Sequence, residues 1–199
     1  MKTNHQKVLV IVEIALLTAL AVIFDLIANL TQIQLFPNGG SISISMLPVF
    51  VLAYRRGLIP GLVSGLLLGT LQTILGVTYY LFFLQFLLDY TLAYGLVGFA
   101  GVFFKWVQSN NNKYQIIGII SGTILGGFLR YFSHVLSGVI YWARYIDSTD
   151  SVDFSKGVTW GDWLFSMGYN ATYMVPSVII CAIILVIFNK VARRIYTVD

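Results

Sequence analysis

Long apolar runs dominate this sequence, and three ionisable side chains lie inside two of them. Asp89 interrupts the run YYLFFLQFLLDYTLAYGLVGFAGVFF, and Arg130 and His134 interrupt the run IIGIISGTILGGFLRYFSHVLSGVIYW. A charge at the centre of a membrane span costs at least about 2.5–3.5 kcal/mol on insertion scales. Such side chains are therefore expected to face a polar cavity and to have partners there, which can include a ligand. The sequence predicts a membrane protein with a polar site among its helices.

The low content of charged residues indicates the same class. Only 10% of the 199 residues are Asp, Glu, Lys or Arg, whereas soluble domains contain about 25%. Too few charges are present to cover a globule of this size, so the lipid bilayer is the expected solvent. The net charge is +4, and six of the twelve Lys and Arg residues lie at the ends of apolar runs. That placement is typical of membrane proteins, and we expect no nucleic-acid partner.

Six apolar segments are predicted to form one integral membrane domain over residues 1–199. A membrane-spanning helix needs about 20 apolar residues. The predicted spans cover 8–28, 41–54, 58–76, 79–104, 115–143 and 163–190. The second span has only 14 residues, which is equally compatible with a re-entrant piece or a short buried helix. The first is longer than the apolar region of a signal peptide, and we interpret it as a retained span.

The distribution of basic residues predicts that both termini are cytoplasmic. Arg55 and Arg56 form a basic turn between the second and third spans, and the 105–113 loop is also basic. The 29–40 connection has no charge, and acidic residues outnumber basic ones in 144–162, so both are predicted to lie outside. The expected fold is an all-α bundle of six transmembrane helices.

Small residues at a spacing of four mark faces where helices approach closely. Gly61, Gly65 and Gly69 have this spacing in the third span, and we interpret them as internal packing positions. Ala15 and Ala19 share one face of the first span. That face is expected to pack either inside the bundle or against a helix of another protein.

Polar side chains on shared helical faces define a candidate ligand site. Arg130 and His134 are four residues apart in the fifth span, and Gln85 and Asp89 repeat this spacing in the fourth. Aromatic walls with one carboxylate suit a flat, cationic, heteroaromatic ligand. Structural alternatives are an Asp89–Arg130 ion pair and hydrogen bonding of Asn170 between helices. The candidate residues are Gln85, Asp89, Tyr90, Arg130, His134, Trp142, Tyr169 and Asn170.

Motifs for nucleotide binding and hydrolysis do not occur in the sequence. G-x-x-x-x-G-K-[ST], G-x-S-x-G and H-E-x-x-H are all absent, and the single cysteine, Cys181, has no neighbouring metal ligands. We therefore expect no catalytic residues, no cofactor, no metal and no energy source within this chain. A transporter that relays ions through Asp89, Arg130 and His134 is an alternative. Small size and the lack of an obvious inverted repeat disfavour it.

Five stretches of the chain carry a family resemblance: VEIALLTALAVIFD, PNGGSISISMLPVFVLAYRRG, FLLDYTLAY, LRYFSHVLSGVIYWARY and SMGYNATYMVPS. Together, and in the expected order, they resemble the thiamine-specific S components of energy-coupling factor (ECF) vitamin transporters of Gram-positive bacteria. The resemblance implies a six-helix bundle in the bacterial plasma membrane that captures thiamine near the outer face, under the 29–40 loop. It also implies partners: one ECF transmembrane coupling protein and two ECF ATPase subunits, which alone use ATP. S components for other vitamins share the six-span form, so another vitamin is the alternative ligand.

The resemblance also implies roles for individual residues. Ala15 and Ala19 match the small-residue face that docks on the coupling protein. Asp89 stands where a glutamate is often found, and Phe165 stands where a tyrosine is usual. The segment 37–45 lacks the tryptophan and glutamate that some members place there. The family's ligand contacts carry over onto Asp89, Tyr90, Arg130, His134, Trp142 and Asn170.

Overall fold

A computed structural model describes residues 4–31, 40–76, 78, 80, 82–146 and 151–197. Over these residues the chain is almost entirely helical, which confirms the predicted all-α class. The helices are α1 (Asn4–Thr31), α2 (Leu47–Arg56), α3 (Leu58–Ile74), α4 (Phe83–Val107), α5 (Asn112–Ile140) and α6 (Trp160–Val191). Two short 3₁₀ turns, Trp142–Arg144 and Arg193–Ile195, follow α5 and α6. Strands β1 (Tyr145–Ile146) and β2 (Ser151–Val152) pair antiparallel between these two helices.

Four of the described helices, α1, α4, α5 and α6, are long and apolar enough to cross a membrane. Helix α3 is also apolar but has 17 residues. Helix α2 has ten residues and rises only about 15 Å, half of a hydrocarbon core of about 30 Å. Its residues from Leu47 to Tyr54 are buried. Of the two alternatives to a full span considered for the second segment, the structure shows the short buried helix.

The segment before α2 explains why this helix begins later than residue 41. The backbone N–H of Ser43 donates to Ser177 Oγ at 3.0 Å, and that of Ser45 donates to Ser43 Oγ at 3.0 Å. These side chains satisfy backbone groups that a helix would otherwise pair. Pro48 then lies in the first turn of α2, where proline is tolerated.

The other predicted spans each coincide with a helix, and their ends differ by at most four residues. Polar caps extend α5 and α6 beyond the apolar runs. Asn111 accepts a hydrogen bond from the backbone N–H of Lys113 at 2.9 Å, and Thr159 and Asp162 form a capping box. Gly76, with φ of +70°, ends α3. Hydropathy misses the polar first turns of α5 and α6, so it places both starts three residues too late; it also overruns the start of α4 and the ends of α3 and α5.

The α3–α4 interface depends on the glycines that the sequence marked as packing positions. A methyl group at Gly65 would collide with the Tyr94 carbonyl oxygen, and one at Gly69 would collide with that of Tyr90. The two helices therefore approach through their backbones. The predicted internal packing of these glycines is confirmed, and it fixes the part of α4 that carries Tyr90 and Tyr94.

The two ends of the bundle differ in chemistry. At the basic end, Glu13 of α1 accepts from Arg55 Nε at 3.0 Å and from Arg56 Nε at 2.5 Å. Arg55 also donates to the carbonyl oxygen of Arg194 at 2.9 Å, which ties α1, α2 and the C-terminal segment together.

At the other end, which we call the aromatic end, three rings from separate segments pack together. The centroid of Phe82 lies 6.0 Å from that of Tyr141 and 5.7 Å from that of Phe154. The predicted cap over the ligand site, the 29–40 loop, cannot be placed relative to this cluster because residues 32–39 lie outside the described part of the chain.

Candidate ligand site

Asp89 is the centre of a hydrogen-bonded network between α4 and α5. Its Oδ1 lies 3.2 Å from Nδ1 of His134, and its Oδ2 accepts from Ser137 Oγ at 2.7 Å. Gln85 Nε2 lies at 3.5 Å from the same Oδ2, the limit of a hydrogen bond. The predicted proximity of Gln85 and Asp89 is therefore present, and α5 supplies the stronger partners.

A π-helical turn in α4, Leu87–Thr91, carries Asp89. The backbone N–H of Leu92 donates to the carbonyl oxygen of Leu87, five residues earlier, which is the hydrogen-bond spacing of a π-helix. Ser133 Oγ of α5 donates to the carbonyl oxygen of Leu88 at 2.6 Å and supports the turn from outside. π-Turns inside α-helices occur frequently at functional sites, and this one rotates Asp89 relative to the rest of α4.

Arg130 joins the network through His134. Arg130 Nε donates to His134 Nε2 at 3.3 Å, and its guanidinium carbon lies 3.8 Å from the centroid of the Tyr94 ring. Because Nε2 accepts, we assign His134 as the neutral tautomer with its proton on Nδ1, directed at Asp89. The alternative of a direct Asp89–Arg130 ion pair is absent from the described residues, since His134 lies between the two groups.

Helix α6 reaches the network through Tyr173. The Tyr173 ring meets His134 edge-on, with centroids 5.9 Å apart, and its hydroxyl donates to Asn170 Oδ1 at 2.5 Å. Asn170 Nδ2 donates to the carbonyl oxygen of Ser166, one turn earlier, at 2.9 Å. The interhelical bond is instead made by Ser166 Oγ, which donates to the carbonyl oxygen of Val135 at 3.0 Å. Ser166 therefore makes the hydrogen bond between helices that the sequence suggested for Asn170.

The structure places the three predicted aromatic residues on three different elements. Tyr90 stacks on Phe86 with centroids 6.4 Å apart. Tyr169 meets Tyr173 edge-on at 6.5 Å. Trp142 lies beyond the end of α5 at the aromatic end, where it is 37% exposed. The structure thus brings Gln85, Asp89, Arg130 and His134 into direct contact, and Asn170 follows through Tyr173.

A second buried network lies next to the first, and the sequence did not predict it. The Tyr94 hydroxyl donates to Asp25 Oδ1 at 3.2 Å, and Asn29 Nδ2 donates to Asp25 Oδ2 at 3.1 Å. Gln72 Nε2 donates to the Tyr94 oxygen at 3.1 Å, and Ser45 Oγ lies 2.8 Å from that oxygen. The one sign of this network in the sequence is Asp25, an acidic residue within the first apolar run. The sequence does not show which helix such a residue faces.

The charges of the two networks do not cancel. Asp25 and Asp89 are carboxylates whose oxygens accept hydrogen bonds, whereas Arg130 is the one cation within this pair of networks. With both carboxyls ionised and His134 neutral, the two networks hold one negative charge in excess. Unpaired charge is costly in a low-dielectric interior. The arrangement is therefore suited to binding a monovalent organic cation, with hydrogen-bonding groups and aromatic rings around it.

The fold and the site define a multi-pass membrane protein that holds a charged, hydrogen-bonded site among its helices. The family model described as "Thiamine transporter protein (Thia_YuaJ)" matches residues 11–197. The chain therefore belongs to this thiamine transporter family, which confirms the family resemblance found in the sequence. Its role is one of transport, in the bacterial plasma membrane.

Similar proteins cover almost the whole chain. The thiamine transporter ThiT of Bacillus subtilis (strain 168) is 37% identical, over 98% of this chain and 98% of the relative. The thiamine transporter ThiT of Lacticaseibacillus paracasei is 28% identical, over 97% of this chain and 92% of the relative. A solved structure of ThiT from Listeria monocytogenes is 31% identical, with a TM-score of 0.79, and the match covers 97% of this chain and 100% of that one.

Proposed function

We propose that this chain is the thiamine-binding S component of an ECF-type ABC transporter and captures thiamine at the outer face for ATP-driven uptake. The observation that carries the proposal is the Asp89 network, which holds a carboxyl group between helices and beside aromatic rings. Thiamine is a heteroaromatic monocation with two flat rings, a positive thiazolium and a neutral aminopyrimidine, joined by a methylene group. The relatives named thiamine transporters support this choice of ligand.

The site residues are assigned roles by their chemistry. Asp89 compensates the thiazolium charge, because a carboxylate is the strongest partner for a cation in a low-dielectric site. Tyr90, Trp142 and Tyr169 offer ring faces for stacking and cation–π contact. Gln85, Arg130, His134 and Asn170 supply the hydrogen bonds that fix the orientation of the aminopyrimidine.

Energy for uptake comes from partner subunits in this proposal. The sequence has no P-loop, and an ECF transmembrane coupling protein with two ECF ATPase subunits supplies ATP hydrolysis. Ala15 and Ala19 are exposed on α1, so they do not pack inside the chain's own bundle. We propose that the coupling protein docks on this face.

The topology proposed with this function has six crossings, both termini in the cytoplasm, and the aromatic end outside. The non-helical residues 40–46 and the short helix α2 together make the second crossing. Cysteine scanning tests it, because the single native cysteine, Cys181, is buried. We expect a membrane-impermeant maleimide to label Gly157→Cys in intact cells, since a side chain built at Gly157 has open space around its Cβ atom. Asn110→Cys, in the exposed loop between α4 and α5, should react only after the membrane is opened. The reverse pattern would invert the topology.

The test of the proposed function compares the chain alone with the complete complex. Proteoliposomes that contain only this chain should bind radiolabelled thiamine but should not accumulate it against a gradient. Co-reconstitution with the coupling protein and both ATPase subunits should give accumulation that requires ATP. Accumulation by the chain alone, driven by an ion gradient, would establish the ion-coupled alternative instead.

A further inference from the structure

We propose that Asp25 sets the charge selectivity of the ligand site by balancing Arg130, which leaves Asp89 available for a cationic ligand. This inference rests on the proposed function, since it concerns how thiamine is selected. Asp25 lies on α1, makes no hydrogen bond to Asp89 or His134 in the described structure, and is a positioning residue that acts through Arg130.

The geometry connects Asp25 to Arg130 through one ring. Tyr94 presents its face to the Arg130 guanidinium, 3.8 Å from the ring centroid, and its hydroxyl to Asp25, 3.2 Å from Oδ1. Ser45 and Gln72 both contact the Tyr94 oxygen, at 2.8 and 3.1 Å, and hold the ring in this position. Asp25 is 8% exposed and Arg130 is also 8% exposed. Water therefore screens the attraction between these two charges only weakly.

Two carboxylates compete for Arg130, and the structure separates them. On one side, His134 lies between Arg130 and Asp89: its Nε2 accepts a hydrogen bond from Arg130, and its Nδ1–H is directed at Asp89. On the other side, Tyr94 lies between Arg130 and Asp25. If Asp25 were neutral, Asp89 would be the one remaining carboxylate near the guanidinium, and the pair would have no net charge. A cation would then gain little from entering the site, whereas an uncharged ligand of the same shape would be unaffected.

The experiment compares thiamine with an uncharged isostere whose thiazolium is replaced by a thiophene ring, on detergent-purified full-length chain. We expect Asp25→Asn to weaken thiamine binding about tenfold, the order of one charge interaction across a protein interior. Affinity for the isostere should change less than about twofold. A purely structural role for Asp25 would weaken both ligands equally, and that result would overturn the inference.

The matched control is Glu13→Gln, which removes the other carboxylate of α1 at the basic end. It should leave both affinities unchanged. Loss of cation preference in this variant would show that the effect is not specific to Asp25, and the inference would fail.

A double variant keeps the test decisive if Asp25→Asn alone is unstable. In the double variant Arg130→Gln/Asp25→Asn, Asp89 is again the one uncompensated charge, so the ratio of thiamine to isostere affinity should return toward that of wild type, and the double variant should fold. Failure of the double variant to fold, or a ratio as low as that of Asp25→Asn alone, would assign Asp25 to packing and overturn the inference. Wild-type protein that binds neither ligand would overturn the proposed function itself.

Discussion

Asp89→Asn is expected to weaken thiamine binding about 10–150-fold, because a lost charged hydrogen bond costs about 1.5–3 kcal/mol. The substitution keeps the shape of the side chain and retains an acceptor for Ser137 or His134, so the fold should survive. It removes the carboxylate that compensates the thiazolium charge. The measurement is a thiamine titration of purified variant and wild type, with thermal unfolding of both recorded in the same detergent.

Asp153→Asn is the matched control for this variant. Asp153 lies in the connection between β2 and α6, away from the network, and the Ser155 hydroxyl that donates to it lowers the pKa of its carboxyl. Asp153 is therefore ionised at neutral pH, and its loss changes the net charge by the same amount as the loss of Asp89. Its affinity should equal that of wild type. Unchanged affinity in Asp89→Asn would mean that Asp89 serves only to hold His134 and Ser137 in place.

The double substitution Ala15→Leu and Ala19→Leu is expected to abolish uptake by the complete complex while leaving thiamine binding intact. Both alanines are exposed on α1, and helix association in lipid depends on close approach at small residues. Two added isobutyl groups hold a docking helix away without entering the chain's own bundle. The measurement is paired: thiamine titration of the purified variant, and thiamine uptake by cells that express all subunits.

Gly168→Leu provides a control that places a leucine side chain on the exposed face of another helix. Gly168 is exposed on α6, and nothing lies within 4 Å of a side chain built there. This variant should bind thiamine and support uptake. Normal uptake by the double alanine variant would place the docking surface elsewhere, and loss of binding together with uptake would show that the alanines support the ligand site instead.

The positions of the long helices could be predicted from the sequence because lipid imposes a simple requirement on them. A chain that crosses hydrocarbon must satisfy its backbone hydrogen bonds internally, and apolar runs of sufficient length therefore become helices. The second predicted span, 41–54, does not follow this rule, because its helix begins only at Leu47. The chain around Ser43 and Ser45 is not helical, and the backbone N–H groups of these two serines are paired with serine side chains. A span estimated from hydropathy alone is therefore longer than the buried helix.

The candidate site could be predicted in part. Helical spacing placed Arg130 and His134 on one face, and their 3.3 Å contact follows from that spacing. The π-turn at Leu87–Thr91 could not be predicted, since it shifts the register of α4 and depends on support from Ser133. Asp25 could not be assigned either, because its partner Tyr94 is 69 residues away and only the packing of α1, α3 and α4 brings them together.

A calorimetric titration of the detergent-purified chain with thiamine decides whether the Asp89 network is a thiamine site. We predict one saturable site per chain in the absence of any partner subunit. The uncharged thiophene isostere should bind more weakly, because it lacks the positive charge that the Asp89 carboxylate attracts. Circular dichroism of the same sample should show the helical fold. A helical, monodisperse protein that shows no saturable heat with thiamine, or that binds the isostere equally well, would contradict the role proposed for Asp89.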